Sequence, residues 1–164
     1  GELTRAYLLM LMARPDARES ALAAYRKATD REDSSMLMLW HQTILRLSGN
    51  ERAALDACPA LGERFSRLPD WVLEWYQRPL DYNCDRISKE ELLAAAGKSH
   101  WRQCEAHFFI GIRRLADGDR AGAAEHFRRS VRPSMFGYIE YKWSRRLLAR
   151  LEEDPTWPPW IPKK

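Results

Sequence analysis

The chain has 164 residues, of which 45% are hydrophobic and 30% are charged, and its formal charge at pH 7 is +4. A chain of this length and composition can bury a sizeable core, so an intrinsically disordered protein is excluded. The small basic excess does not by itself indicate a nucleic-acid-binding protein. No apolar run reaches the ~18 residues that a membrane helix needs, so we predict no membrane span.

Three cysteines, Cys58, Cys84 and Cys104, set the expectation for redox state and compartment. An odd number cannot close a disulfide framework, and a single bridge would leave one thiol over. The composition therefore suits a reducing compartment, or a protein in which the thiols have no role. The compartment stays open, with the cytoplasm favoured over a periplasmic or lipoprotein-anchored location, which would require a further N-terminal segment.

Helical periodicity dominates the sequence, and no stretch alternates as a half-buried strand does. The first helix is predicted over "LTRAYLLMLMA" and ends at Pro15. The second, "RESALAAYRKAT", follows a capping-box pattern of Asp16 and Glu19. "SSMLMLWHQTILRL" is the third helix, and after the turn "SGN" a fourth begins at "ERAALDA". Pro59 interrupts that helix, so "ALGERFSRL" is predicted as a separate short one.

The middle of the chain is the least regular part. The helix "DWVLEWYQ" is predicted to stop at Pro79, and "RPLDYNCDR" is predicted to be irregular. Ser88 and Glu91 form a second capping box that opens "KEELLAAA", and Gly97 ends this helix as the residue after its last turn.

The last part of the chain contains two helical runs around an "ADGD" turn and a final helix, "GYIEYKWSRRLLARLEE". The proline-rich tail "DPTWPPWIPKK" cannot be helical and should be extended. If Trp157 and Trp160 were both exposed, they would place a large and unfavourable apolar surface in contact with water. We therefore predict that the tail folds back as a cap on the last helices; the alternative is a proline-rich ligand for another module.

Small and aromatic residues recur in these helix pairs at fixed offsets. In the stretch from Cys104, they are Ile110 with Gly111, the turn glycine Gly118, and then Ala123, Phe127 and Ser130. Small residues at such positions allow two antiparallel helices to approach closely. The stretch resembles the tetratricopeptide repeat, which is about 34 residues long.

The same signature recurs earlier in the chain, in Ala21, Tyr25 and Ala28, and then in Gly49 and Ala54. Gly49 and Gly118 are 69 residues apart, close to two repeat periods of about 34. The resemblance covers roughly residues 2 to 152 and is to bacterial tetratricopeptide proteins, including some lipoproteins.

The resemblance implies an all-α fold, namely a short right-handed α-α superhelix with a C-terminal capping helix and a Trp/Pro-rich tail. The repeat domain would span residues 1–154, followed by the tail at 155–164. Its units would be 2–34, 35–68, a degenerate 69–103, 104–136 and the capping helix 137–153.

The resemblance also implies a non-enzymatic protein-interaction or scaffold module that binds a peptide or partner helix in a concave groove. In the family, residues at positions two, five, nine and twelve of each first helix line that groove. The partner-binding residues carried over are Met10, Met36, Leu39, Thr43, Arg46, Glu105, Phe108, Ile112 and Leu115. No catalytic residue, cofactor or metal is expected, and the oligomeric state stays open.

An enzyme on a helical-repeat scaffold is the first alternative. Cys104 and His107 are three residues apart and share a helical face, which suits half of a metal site or a thiol nucleophile with its base. A structural zinc site needs two further ligands, and the sequence has no matching paired spacing. Burial at helix-packing positions would also raise the pKa of the thiol and reduce its reactivity.

Binding of RNA or single-stranded nucleic acid is the second alternative. The basic clusters with interleaved aromatic residues are Arg128, Arg129 and Arg132, followed by Lys142, Arg145, Arg146 and Arg150. Such residues can hold phosphates while the aromatic rings stack on bases. Acidic neighbours, including Glu125 and Glu152, dilute the positive charge, so nucleic acid is not the expected partner.

Overall fold

A computed structural model describes residues 35–163, with side chains from Leu39 onward, and isolated earlier positions: Arg5, Leu8, Leu9, Leu11, Asp16, Glu19, Ser20 and Ala23. Over these residues the regular structure is helical and contains no strand, as expected for an all-α fold. None of the helices in this part of the chain is long and apolar enough to cross a membrane. The two helices predicted before Ser35 lie outside the continuously described residues.

The helices are numbered in chain order. They are α1 (Ser35–Leu47), α2 (Glu51–Asp56), α3 (Cys58–Phe65), α4 (Asp70–Asn83), α5 (Lys89–Ala96), α6 (His100–Ala116), α7 (Arg120–Val131) and α8 (Ile139–Glu153).

Local capping sets several helix boundaries where the sequence predicts them. Ser88 Oγ accepts a hydrogen bond from the Glu91 N–H at 3.2 Å, and Glu91 Oε2 accepts one from the Ser88 N–H at 2.7 Å. This reciprocal pair is the predicted capping box at the start of α5. The turn glycines Gly49 and Gly118 have φ values of +76° and +79°, a conformation that other residues rarely adopt.

The two predicted proline breaks have different outcomes. Pro59 lies in the first turn of α3, so the predicted separate short helix is confirmed. Pro79, in contrast, lies inside α4, which continues to Asn83, so the predicted break there is wrong. The segment after Pro79 buries Leu80 and Tyr82, and this apolar burial offsets the backbone hydrogen bond that proline cannot make.

Neighbouring helices pack as pairs: α1 on α2, α4 on α5, and α6 on α7, with α8 against both α6 and α7. Gly111 of α6 lies directly against the ring of Phe127 in α7, and both residues are buried. The small side chain at Gly111 therefore permits the close approach of these two helices, as the sequence predicts.

Helix α1 also packs directly on α6, although the four helices α2 to α5 separate them along the chain. The ring centroid of Trp40 in α1 lies 5.4 Å from that of Phe108 in α6 and 3.5 Å from that of Trp143 in α8. The first helices of the successive pairs thus converge on one apolar core. The inner side of the helix array is filled by these side chains.

The C-terminal tail folds back onto the helices, whereas its role as the cap of a helical array stays a prediction. Trp157 is fully buried, and Trp160 Nε1 donates a hydrogen bond to the Leu47 carbonyl at 2.7 Å. The Arg120 guanidinium donates to four tail carbonyls, those of Thr156, Trp157, Pro158 and Ile161, at 2.7–3.0 Å. The tail therefore connects the end of α1 with the start of α7.

Cys58 and Cys84 form a disulfide, and Cys104 is a buried free thiol. The bridge joins the start of α3 to the residue that follows α4. The expectation of a chain suited to a reducing compartment did not foresee this bridge, because the two positions are 26 residues apart and become neighbours only when α3 packs on α4.

Candidate functional site

The described side chains that were predicted to line a concave groove are instead packed in the core. Each is at most 1% exposed: Leu39, Thr43, Arg46, Glu105, Phe108, Ile112 and Leu115. Their prediction as an open groove surface is corrected, because α1 packs on α6 and closes the inner side of the array. Met10 lies outside the described residues, and Met36 lies in α1 with a side chain that is not described.

Arg46 shows what one of these residues does instead. Its Nε donates to Glu51 Oε2 at 2.9 Å, and its Nη2 donates to the Asn83 carbonyl at 2.7 Å. The guanidinium therefore joins the start of α2 to the end of α4. A buried arginine with these partners stabilises the packing of three helices and offers no surface to a ligand.

Cys104 and His107, the pair considered for the enzyme alternative, each contact another residue. Cys104 Sγ lies 3.6 Å from Ser130 Oγ, whereas His107 contacts a second histidine. Burial raises the pKa of the Cys104 thiol to about 12, so the thiolate is scarce at neutral pH. Within the described ranges, no group of three or more His, Cys, Asp or Glu side chains could hold a metal ion.

An open cleft of about 770 Å³ lies between α6 and α7, on their exposed side. It is lined by His100, Gln103, His107, Glu125, Arg128, Arg129, Arg132 and Pro133, which together are called the basic cleft below. Three arginines against one glutamate leave a net charge of +2 on these residues while the histidines are neutral.

His107 of the basic cleft pairs with a second buried histidine, His126, which does not itself line the cleft. His107 Nδ1 and His126 Nδ1 lie 3.0 Å apart. One of these two nitrogens therefore carries a hydrogen and donates a hydrogen bond to the other. Burial, together with the positive charge of Arg129, lowers the pKa of both imidazoles to about 4. The pair is therefore neutral at physiological pH and adds polar atoms without adding charge.

The arginines of the basic cleft differ in their ion pairs. Arg129 Nε lies 2.9 Å from Glu125 Oε1, and Arg128 Nη2 lies 3.5 Å from Glu152 Oε1. Both pairs are exposed and therefore weak, so they can exchange for a stronger partner. Arg132 makes no ion pair with the rest of the described chain.

Sequence reasoning identified part of this cleft. Arg128, Arg129 and Arg132 were recognised as a basic cluster for the nucleic-acid alternative. The histidine pair was missed, because its members are 19 residues apart. The available signal was the turn at Gly118, since residues at similar distances on either side of a tight helical turn face one another.

The second basic cluster does not form a comparable site. Lys142, Arg145 and Arg146 lie on the exposed face of α8, where Arg145 packs over the ring of Tyr141 at 6.0 Å. Arg150 lies within 3.6 Å of the carboxylates of Glu153 and Asp154. The cleft on this face has a volume of about 340 Å³ and is therefore smaller than the basic cleft.

Comparisons of the chain with protein-family models, curated proteins and solved structures found no match. The resemblance to tetratricopeptide repeats therefore rests on the motif residues alone.

Proposed function

We propose that this chain is a non-enzymatic protein-interaction module that binds an acidic segment of a partner protein in the basic cleft. In this proposal the helix pairs form a short superhelix of the tetratricopeptide type, with its inner side closed by α1 and its end closed by the tail. The observation that carries the proposal is an open cleft lined by three arginines and by His107, whose neutral imidazole is paired with that of His126.

The chemistry of the cleft favours carboxylates as ligands. A guanidinium donates two parallel hydrogen bonds to one carboxylate, which gives both energy and orientation. Arg132 is without an ion-pair partner among the described residues, and Arg129 can exchange its exposed partner Glu125 for a carboxylate of the bound segment. Electrostatic complementarity of this kind increases association rates and specificity.

A protein partner fits this cleft better than a nucleic acid does. Single-stranded nucleic acids bind where aromatic rings provide stacking platforms beside the cationic groups. No tryptophan, tyrosine or phenylalanine lines the cleft, and the two buried imidazoles contact each other.

The buried thiol supports a binding role over catalysis. The raised pKa of Cys104, whose thiol lies beside Ser130 Oγ, disfavours a thiolate nucleophile at this residue.

The experiment is a fluorescence-anisotropy titration of the full chain with a labelled oligoglutamate peptide, at two salt concentrations. We expect saturable binding whose affinity falls as the salt concentration rises. In Arg132→Glu the affinity should fall by roughly tenfold or more. Arg145→Glu is the matched control, because it makes the same charge change on the exposed face of α8. Equal losses in both variants, or tighter binding of a labelled oligouridylate, would contradict the proposal.

A further inference from the structure

The surface formed by the second half of α7 and by α8 is strongly cationic. Between Glu125 and Glu152 the only acidic residue is Glu140, which is 1% exposed and therefore adds no negative charge to the surface. The basic residues of the same stretch are Arg128, Arg129, Arg132, Lys142, Arg145, Arg146 and Arg150. The first three of them line the basic cleft, and the other four lie on α8.

Helix α8 has one buried apolar face and one exposed basic face. Its buried residues include Trp143, Leu147 and Leu151. The residues exposed on the opposite side are Ile139, Lys142, Arg145, Arg146 and Ala149. Because each residue turns by about 100° around a helix axis, these exposed residues lie within an arc of about 120°. The exposed side of α8 is therefore a basic stripe that begins with an isoleucine.

Large apolar side chains are exposed at the start of this stripe. Phe136, in the loop between α7 and α8, is 65% exposed, and Ile139, the first residue of α8, is 46% exposed. The Phe136 ring packs edge-on against Tyr141, with ring centroids 5.1 Å apart, and Arg145 lies 6.0 Å from the centroid of the same tyrosine. These contacts make one continuous surface of the apolar and the basic residues. It is called the α8 surface below and consists of Phe136, Ile139, Lys142, Arg145 and Arg146.

The opposite end of α8 is acidic. Glu152 and Glu153 are exposed in its last turn. Ile139 and Glu153 are 14 residues apart, which corresponds to roughly 21 Å along the helix axis. The apolar and cationic groups are therefore concentrated towards the N-terminal end of α8, and an anionic partner would contact that end.

We propose that the α8 surface binds the face of a lipid bilayer that contains anionic phospholipids. Phe136 and Ile139 enter the boundary between headgroups and acyl chains, where burial of their apolar area is favourable. Lys142, Arg145 and Arg146 lie against the headgroups and are attracted to their negative charges. Both parts are needed, since stable peripheral binding combines apolar insertion with a basic patch.

A bilayer fits the α8 surface better than a nucleic acid does. Single-stranded nucleic acids bind where several aromatic rings are open to stacking by bases. Phe136 supplies one such ring, but the Tyr141 ring is only 8% exposed and lies against Arg145. The exposed Ile139 gains little from bases or phosphates, whereas it gains free energy on leaving water for hydrocarbon.

A second copy of the chain is also a poorer occupant than a bilayer. A two-fold symmetric contact would use the same surface on both copies. The contact would therefore bring Lys142, Arg145 and Arg146 of one copy close to the same residues of the other, and like charges repel.

This membrane contact goes beyond the proposed function and is independent of it. The basic cleft lies between α6 and α7, and none of the residues that line it belongs to the α8 surface. A chain that binds a bilayer through the α8 surface and an acidic segment through the basic cleft would hold its protein partner at the membrane.

The experiment is co-sedimentation of the full chain with lipid vesicles of two compositions. One consists of phosphatidylcholine alone, and the other contains roughly 30% phosphatidylserine, which carries a net negative charge. We expect the affinity for the anionic vesicles to exceed that for the neutral ones by roughly tenfold or more, and to fall as the salt concentration rises. Equal affinity for both compositions, or no binding to either, would overturn the proposal.

Substitutions at exposed positions locate the binding. Phe136→Ser should lower the affinity for anionic vesicles by roughly threefold or more, because it removes an inserted apolar side chain. Arg145→Glu combined with Arg146→Glu should lower it by roughly tenfold or more. Arg52→Glu combined with Arg67→Glu is the matched control, since it makes the same charge change at exposed arginines away from α8 and should leave the affinity unchanged. Circular dichroism checks that each variant is folded.

The same variants identify the wrong surface or the wrong occupant. Unchanged vesicle binding in both α8 variants would refute the α8 surface as the contact. Two further results would refute a bilayer as its occupant: oligouridylate binding that is tighter than vesicle binding and is lost in the double arginine variant, or self-association of the free chain that Phe136→Ser abolishes. Oligoglutamate binding should persist in Phe136→Ser, so a failure of the membrane contact is distinguishable from a failure of the basic cleft.

Discussion

Gly111 offers the sharpest test of how α6 and α7 pack. A Cβ atom added at this position would lie 2.5 Å from Phe127 Cε1, 2.8 Å from Cδ1 and 3.1 Å from Cζ. Real Cβ contacts are not that short, and the Phe127 ring is fully buried, so it has no free space to move into. Gly111→Ala must therefore push the two helices apart or force the ring out of its rotamer.

The magnitude follows from two opposing effects. Replacing glycine by alanine inside a helix stabilises by about 1 kcal/mol. Overpacking a well-filled core costs about 1–3 kcal/mol, and three contacts of 3.1 Å or less favour the upper end. We expect Gly111→Ala to lower the free energy of unfolding by about 2 kcal/mol, which lowers Tm by roughly 4–8 °C for a chain of this size. Gly111→Leu should be at least as damaging.

Gly62→Ala in α3 is the matched control. An added Cβ there would meet only the far end of the Arg86 side chain, at 3.4 Å. This variant gains the helix propensity without the clash, so its stability should exceed that of Gly111→Ala by about 3 kcal/mol. Urea denaturation followed by circular dichroism measures both. If Gly111→Ala is as stable as Gly62→Ala, the assigned packing of α6 on α7 is wrong.

Three further predictions concern stability. Because burial raises the pKa of Glu105 to about 8 from its ordinary value of 4.5, the folded protein holds a proton that the unfolded chain releases. Its Tm should therefore fall between about pH 5 and about pH 8, and Glu105→Gln should flatten that fall; equal slopes would argue against the buried carboxyl. Arg120→Ala removes a guanidinium that binds the tail, so it should lower the free energy of unfolding by about 2 kcal/mol and speed chymotrypsin cleavage near Trp157. Unchanged cleavage would show that other contacts hold the tail. Reduction of the Cys58–Cys84 disulfide should lower the free energy of unfolding by about 2–4 kcal/mol. A reductant should have no effect on the stability of a Cys58→Ser, Cys84→Ser variant.

Local signals in the sequence predicted much of the helical framework. The Ser88 capping box, the turn at Gly118 and the break at Pro59 each depend on a few neighbouring residues, so sequence patterns report them directly. The approach of α6 to α7 was also predictable, because the repeat places Gly111 opposite Phe127. Features within one helix pair were thus accessible from sequence.

Contacts between distant helices were not predictable in the same way. The packing of α1 on α6 buries Leu39 and Phe108, which the repeat pattern alone places on an open groove. Likewise, α4 continues through Pro79 because of the apolar side chains that it buries against its neighbours. The electrostatic effect of Glu140 on the buried Glu105 carboxyl arises only where α8 packs on α6. Such features depend on tertiary packing, which the patterns in a single sequence do not predict.

The most direct test of the proposed function is an NMR titration of the full chain with oligoglutamate, using labelled histidine side chains and labelled Leu and Ile methyl groups. Our account predicts that the His107 and His126 imidazole resonances shift as the peptide fills the basic cleft, while the methyl resonances of Leu39 and Ile112 stay in place. Shifts of those core methyl groups with unchanged imidazole resonances would contradict it.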